Sequence, residues 1–457
     1  MPRLDGVRPM AAAAAPRAPV RQIALRRVTP ERLAVGFAAL AGLIVLWNAA
    51  AYPVGAGYDA ASHKEYADFL IDHLRLPHEN ETPEYYSPPL YYGLAGAITW
   101  VGRQAGLGEP HKLAQLWNVP VAVATVLLVI ALARLVAPGR RWVAPAAAGY
   151  VALSPVLTRT ASMFNPEPTD LLVSVLCLYL AARILAGRRY GAGAALGLGL
   201  ALGAGEMVRQ FALWTLAVVV LAFLAALWWR PDERRATLRS LGLALAACAV
   251  VAGPWYGYRA ANYSNAIFDR PHVAKPLWER RPASFYLDPG LPDVFTRPYR
   301  RHMANLAWPQ TYTDMWGDWY GVFAWKRVSG PPPPATNDWL VTQNVVGLVP
   351  TALAIVGWLW LLVRSVRRRE PPRLLVALLP LAGLAGYLYF TVSYPVPDGD
   401  VLKPTYMLST LGAWAICFGW ALDRAAARAP RLVVAGIAAL ALVDLPFVVY
   451  RGAVGFF

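Results

Sequence analysis

The segment GYDAASHKEY at 57–66 spaces Asp59, His63 and Tyr66 at i, i+4 and i+7, which on a helix sets all three on one face. A carboxylate held beside aromatic groups at a membrane boundary has its pKa raised by desolvation and can act as a general base on an acceptor hydroxyl. The competing reading makes Asp59 a helix N-cap and the rest a solvated amphipathic surface. Glu79, Glu81 and Glu84 then lead into YYSPPLYY at 85–92, which contains Tyr91. Acids beside stacking rings suit a polyol or sugar, and equally suit an interfacial aromatic belt.

Further along, MFNPEPTD at 163–170 brings Asn165, Glu167 and Asp170 to the mouth of an apolar run. Ionisable residues at membrane depth are functional candidates, while Asn165 as cap with Pro166 in the first turn is an ordinary helix start. Arg209 opens another apolar run, where an anionic lipid head group, or a carboxylate such as Glu206, would account for it. Lys403, three residues before Tyr406, either neutralises a phosphate or snorkels. The stretch WPQTYTDMWGDWY at 308–320, with Trp316 and Asp318, interleaves acids and aromatics in a sugar-like pattern.

The elements that must carry these residues are set by composition. The chain has 457 residues, 57% hydrophobic and only 15% charged, against about a quarter charged in soluble domains. Mean hydropathy is +0.39, so most of the solvent is lipid. The net charge of +16 sits in short Arg clusters between apolar runs, a positive-inside pattern with no continuous basic face for nucleic acid. Cys177, Cys248 and Cys417 lie singly in apolar runs, which supports neither a disulfide framework nor a zinc site. No divalent-ion cage is legible, so neither a metal nor another cofactor is expected; Asp59 with Glu167 could hold one ion only if they converge.

Runs long enough to cross a bilayer begin near 33, 115, 142, 169, 190, 209, 238, 344, 374, 403 and 431, predicting an all-α polytopic membrane protein of about eleven spans. The basic residues 1–32 read as a disordered cytoplasmic tail rather than a signal peptide. Alternating from an inside N-terminus puts the clusters at Arg134, Arg183, Arg230, Arg364 and Arg424 on one side. Counting 89–107 as a crossing would reverse every later cluster, so that segment is expected to be an interfacial or re-entrant helix on the outer face. The organisation that follows is an N-terminal transmembrane module at 33–260 with a first outer loop at 55–114, a large outer loop at 261–343 and a C-terminal module at 344–457. The prolines at 331–334 read as a stiff spacer, and no fixed-period repeat is seen.

Asp59, His63, Tyr66, Leu76-Pro77 and the PPLYY block at 88–92, in that order, resemble the first outer loop of the GT-C superfamily of membrane glycosyltransferases, particularly protein mannosyltransferases and lipid A aminoarabinose transferases. The likeness continues weakly through Asn165/Glu167, Arg209, Trp316-Gly317 and Lys403/Tyr406, and covers most of 33–450. It implies transfer of a sugar from a polyprenyl-phosphate donor to a glycan, lipid or protein acceptor on the outer face, with inversion at the anomeric carbon. It also implies Asp59 as base and basic residues holding the phosphate. His63, Glu84 and Glu167 are the further catalytic candidates; Tyr66, Tyr91, Asn165, Arg209, Trp316, Asp318, Lys403 and Tyr406 are the binding candidates.

Two positions depart from that pattern. Ala60 stands where many members carry Glu, so a second carboxylate would come from Glu84 or Glu167; Gln115 and Asn118 stand where relatives often carry Arg, shifting phosphate holding to Arg209, Lys403 or Lys112. A flippase of a lipid-linked glycan, or an inactive scaffold of an envelope-synthesis complex, are the alternative functions. An Ala-, Arg- and Pro-rich composition points to a bacterial inner membrane.

Overall fold

The computed structural model describes residues 29–187, 190–264, 275–326, 330–396 and 399–429, and beyond these only 437, 441, 444–445 and 447–452. Among the described residues there is no strand. The chain runs through α1 (Pro30–Ala51), α2 (Ala60–His73), α3 (Pro89–Gln104), α4 (His111–Leu116), α5 (Asn118–Val136), α6 (Val143–Ala152), α7 (Pro155–Ala161) and α8 (Glu167–Gly187). It continues through α9 (Ala192–Val208), α10 (Ala212–Trp229), α11 (Arg234–Asn262), α12 (Ala283–Leu287), α13 (Ala307–Trp316), α14 (Pro334–Arg367), α15 (Pro371–Ser393) and α16 (Leu411–Arg428), the last led by a 3-10 turn at Pro404–Thr410.

Eight helical segments among the described residues are long and apolar enough to cross a membrane, and α6 and α9 are shorter apolar helices. These ten segments overlap ten of the expected runs, of which those near 142 and 190 come out shorter than a crossing; the eleventh, near 431, and residues 1–28 of the expected tail lie largely or wholly outside the described residues. α1 alone has 22 residues, a rise of roughly 33 Å at 1.5 Å per residue, enough for a hydrocarbon core of about 30 Å. Large apolar side chains such as Leu43, Leu200, Val250 and Val356 stay exposed on the outside of the bundle, a surface that only lipid covers favourably. α3, the segment withdrawn from the crossings on charge grounds, is not among the membrane-length helices; it packs on α2 and α4.

Proline at the first turn starts α1, α3, α7, α14 and α15, where its missing N–H costs nothing. Pro334 therefore opens α14 ten residues before the expected span, and the run at 331–334 ends in a helix start rather than acting throughout as a spacer. The core is built of Ala, Val and Leu from α1, α5, α6, α8, α15 and α16. Small residues set the spacing: a Cβ on Gly357 would lie 1.9 Å from the Cys417 carbonyl, so only glycine lets α14 close on α16.

Lys112 fixes the direction of the bundle. Its ammonium donates to the carbonyls of Ala49 (2.9 Å) and Tyr52 (2.5 Å) at the C-terminus of α1, and to Gln115 Oε1 (2.7 Å), so α5 starts where α1 ends. At the far end of α5, Arg373 donates to the Val136 carbonyl (2.7 Å) and Arg140 to Asp423 (2.8 Å). The Arg-bearing turns around Arg140, Arg373 and Arg424 thus gather at the end of the bundle opposite the loop that carries Asp59.

Candidate active site

Asp59 follows α1 through a tight turn. Gly57 has φ +100° and no room for a Cβ, which would lie 2.4 Å from Met163 Sδ. Asp59 itself is left-handed (φ 54°, ψ 15°), a conformation that Asp tolerates better than most residues. It occupies the N-cap position of α2, yet its side chain makes no capping bond. The carboxylate turns away and accepts from Lys403 Nζ at 2.8 Å, with 40% of the Asp59 side chain exposed. The helix-cap reading of Asp59 is therefore set aside, as is the snorkelling reading of Lys403, whose side chain is only 11% exposed. Burial alone would raise the Asp59 carboxyl; Lys403, His63 and Arg209 together hold it below the usual carboxylate range.

One turn along α2, His63 is buried and its Nδ1 lies 3.0 Å from Tyr92 Oη and 3.8 Å from Glu84 Oε2. Burial, reinforced by Arg209, drives the His63 pKa down to about 3, so the ring is neutral near pH 7. Tyr66 on the same face donates to the Ser87 carbonyl (3.2 Å) and packs on Tyr92 with centroids 4.4 Å apart. Glu84 accepts from Ser87 Oγ (2.7 Å), and burial pushes its pKa up to about 7 against the pull of Arg209. Glu79 and Glu81 go elsewhere, to Ser264 and Arg75.

Arg209 joins the first loop to the membrane helices. Its Nη2 lies 2.7 Å from Glu167 Oε1 at the start of α8, and its Nη1 lies 3.2 Å from Ser87 Oγ and 3.7 Å from Glu84. Glu206 is not its partner: that carboxylate accepts from Tyr256 Oη at 2.8 Å. Arg209 Nε and Glu167 Oε2 are buried with no hydrogen-bond partner among the described residues, so the network has unmet valence. Asn165 Oδ1 accepts from the Glu167 N–H (3.0 Å), the helix-start bond expected of it, while its Nδ2 reaches the Tyr58 carbonyl at 3.5 Å. Tyr406 packs against Phe211 (5.3 Å) and Phe390 (5.0 Å), with Lys403 Nζ 5.9 Å from its ring centroid.

Three candidates lie apart from this cluster in their bonding. Tyr91 is buried against Tyr92 and Phe164. Trp316 donates to Thr351 Oγ1 (2.9 Å) and packs α13 onto α14. Asp318 accepts from the backbone N–H groups of Phe323 (2.8 Å) and Ala324 (2.7 Å), pinning the loop after α13. Gln115 and Asn118 bond the carbonyls of 161–163, and Lys112 is taken up by α1, so of the three cations expected to hold a phosphate Arg209 and Lys403 are the ones at the Asp59 cluster.

The brace behind Asp59 was not anticipated. Tyr58 donates to Asp314 Oδ2 (2.7 Å), and Arg159 bonds that same oxygen (3.2 Å) and the carbonyls of Asp314 and Gly317 (both 2.5 Å). All three side chains are buried, so helix α13 is clamped to the residue preceding Asp59. The available signal was Arg159 itself, a cation inside the apolar run at 155–164.

No family model matches the chain, and no curated protein matches it by sequence. Solved structures match its fold. The apo oligosaccharyltransferase of Archaeoglobus fulgidus superposes with a TM-score of 0.57 at 15% identity, covering 92% of this chain and 56% of that one. Apo ArnT from Cupriavidus metallidurans gives 0.51 at 19% identity, covering 89% and 62%; ArnT bound to undecaprenyl phosphate gives 0.49 at 19%, covering 89% and 63%. The chain has the fold of the GT-C glycosyltransferases, and it spans less than two thirds of the length of these structures.

Proposed function

We propose that the chain is a glycosyltransferase that moves a sugar from a polyprenyl-phosphate-linked donor to an acceptor hydroxyl, with Asp59 as general base, on the outer face of a bacterial inner membrane. The observation that carries this reading is the half-open Asp59 carboxylate bound to Lys403 beside the Arg209–Glu167–Glu84 network, in a glycosyltransferase fold. The acceptor oxygen attacks the anomeric carbon as the bond from that carbon to the phosphate oxygen breaks. The acceptor proton passes to Asp59, and the polyprenyl phosphate leaves as an anion. Lys403 and Arg209 are the cations at hand to stabilise that anion.

Lys403 has two jobs in sequence. It is the counter-ion of Asp59, holding the carboxylate charged. A bound phosphodiester draws the ammonium toward itself, which raises the basicity of Asp59 only when donor is present. The positive-inside rule supports the outer-face assignment, because the Arg-rich turns lie at the opposite end of the bundle.

The test is transfer in proteoliposomes. Purified protein is incubated with native polyprenyl-phosphate sugars carrying a radiolabel, and product and released polyprenyl phosphate are followed together. Equal appearance of both supports the reading. Movement of intact labelled lipid between leaflets without release of polyprenyl phosphate would replace it with a flippase.

A further inference from the structure

At the end of the bundle away from Asp59, three guanidinium groups crowd one indole ring. Arg424 Cζ lies 3.5 Å from the Trp360 ring centroid, Arg364 Cζ 5.3 Å and Arg140 Cζ 5.9 Å. Trp360 rests on Trp420 with centroids 4.8 Å apart, and Arg140 and Arg373 lie over that second ring at 4.4 and 5.5 Å. Each cation gains from the ring faces, but together the like charges repel, and the carboxylates present do not balance them. Asp423 is taken by Arg140 (2.8 Å) and by the Trp142 N–H (3.1 Å). Glu370 pairs closely with Arg373 and more loosely with Arg364, whose Nε lies 3.8 Å away, so one carboxylate serves two cations.

Arg424 makes no ion pair among the described residues, and Arg364, sharing Glu370 with Arg373, keeps a buried Nε without a hydrogen bond. The Arg364 and Arg140 side chains remain 35% and 30% exposed, so an anion can reach them from the head-group layer.

We propose that Arg364 and Arg424, with Arg140 behind them, bind the phosphate of an anionic phospholipid in the leaflet opposite the Asp59 site. The chemistry is a singly charged phosphodiester accepting from guanidinium N–H groups, while Trp360 and Trp420 hold the guanidinium planes at the depth where head groups lie. The site is independent of the transfer reaction and stands whether or not that reading holds.

Native mass spectrometry of the purified full chain tests it, with phosphatidylglycerol and phosphatidylcholine of matched acyl chains as probes and inorganic phosphate as competitor. Phosphatidylglycerol is retained in preference to phosphatidylcholine, and less so as ionic strength rises. Arg364→Gln and Arg424→Gln each weaken retention about fivefold, the effect of one arginine at a membrane surface, whereas Arg364→Lys and Arg424→Lys keep the charge without the stacked guanidinium plane and fall between the glutamine variants and the wild type. The lysine variants separate loss of charge from loss of folding. Inorganic phosphate that displaces the lipid at millimolar concentration would assign the same site to a soluble phosphate compound. Equal retention of both lipids, or glutamine variants that bind like the wild type, would overturn the proposal.

Discussion

Lys403 and Asp59, 344 positions apart in sequence, meet at 2.8 Å across the mouth of the candidate active site. Lys403 lowers the pKa of the carboxyl against the upward push of burial. Replacing Lys403 with Gln removes that opposition, so the Asp59 pKa rises. The acid limb of the pH–rate profile is expected to move to higher pH in Lys403→Gln, and donor KM to increase; Lys403→Arg keeps the limb near its wild-type position. Initial rates from pH 4 to 8 measure this.

Glu84 gives the profile a second feature. With its pKa pushed up to about 7 by burial, it is neutral below that pH and gains a negative charge above it, 3.7 Å from Arg209. A donor phosphate is then less attracted, so donor KM is expected to rise as the pH climbs through about 7. Glu84→Gln removes the rise. The folded pKa exceeds the ordinary 4.5, so the unfolded chain loses this proton first, and stability contributed by Glu84 falls between about pH 4.5 and 7. Donor titrations at pH 6 and 8 in both proteins check the kinetic part.

The buried Arg209–Glu167 pair separates stability from chemistry. Arg209→Leu leaves the Glu167 carboxylate buried without its cation and is expected to cost about 3–5 kcal/mol. The double variant Arg209→Leu/Glu167→Leu recovers much of that loss in thermal unfolding, yet transfers no sugar.

Tyr58→Phe leaves Asp314 short of one hydrogen bond, a loss of about 1–3 kcal/mol for a buried acceptor. Because Tyr58 directly precedes the left-handed Asp59, kcat is expected to fall about tenfold with donor KM little changed. A purely structural part for the brace would lower the amount of folded protein and leave kcat per folded molecule intact.

The sequence made the membrane helices legible because apolar length is a local property, and the face shared by Asp59, His63 and Tyr66 because i, i+4 spacing is local too. The partner of Arg209 was not legible. Glu206 is its neighbour in sequence, but Arg209 is the C-cap of α9 with extended backbone (φ −154°, ψ 139°), outside the helical geometry in which i−3 neighbours pair, and it bonds the start of α8 instead. Tyr58 and Asp314 lie 256 positions apart, and no spacing rule reaches that far. The runs near 142 and 190 read as full crossings and come out shorter for local reasons: Ser154 and Pro155 divide α6 from α7, and Arg209 ends α9 at 17 residues.

The most direct measurement is single-turnover transfer of labelled sugar from polyprenyl-phosphate donors by wild-type protein and Asp59→Asn at matched folded concentration. The Asp59 side chain is 40% exposed and its one described hydrogen bond is to Lys403, so the variant is expected to fold. Transfer by the wild type, reduced at least about 100-fold in Asp59→Asn with donor binding retained, is the predicted result. Wild-type rates in Asp59→Asn would contradict Asp59 as the base.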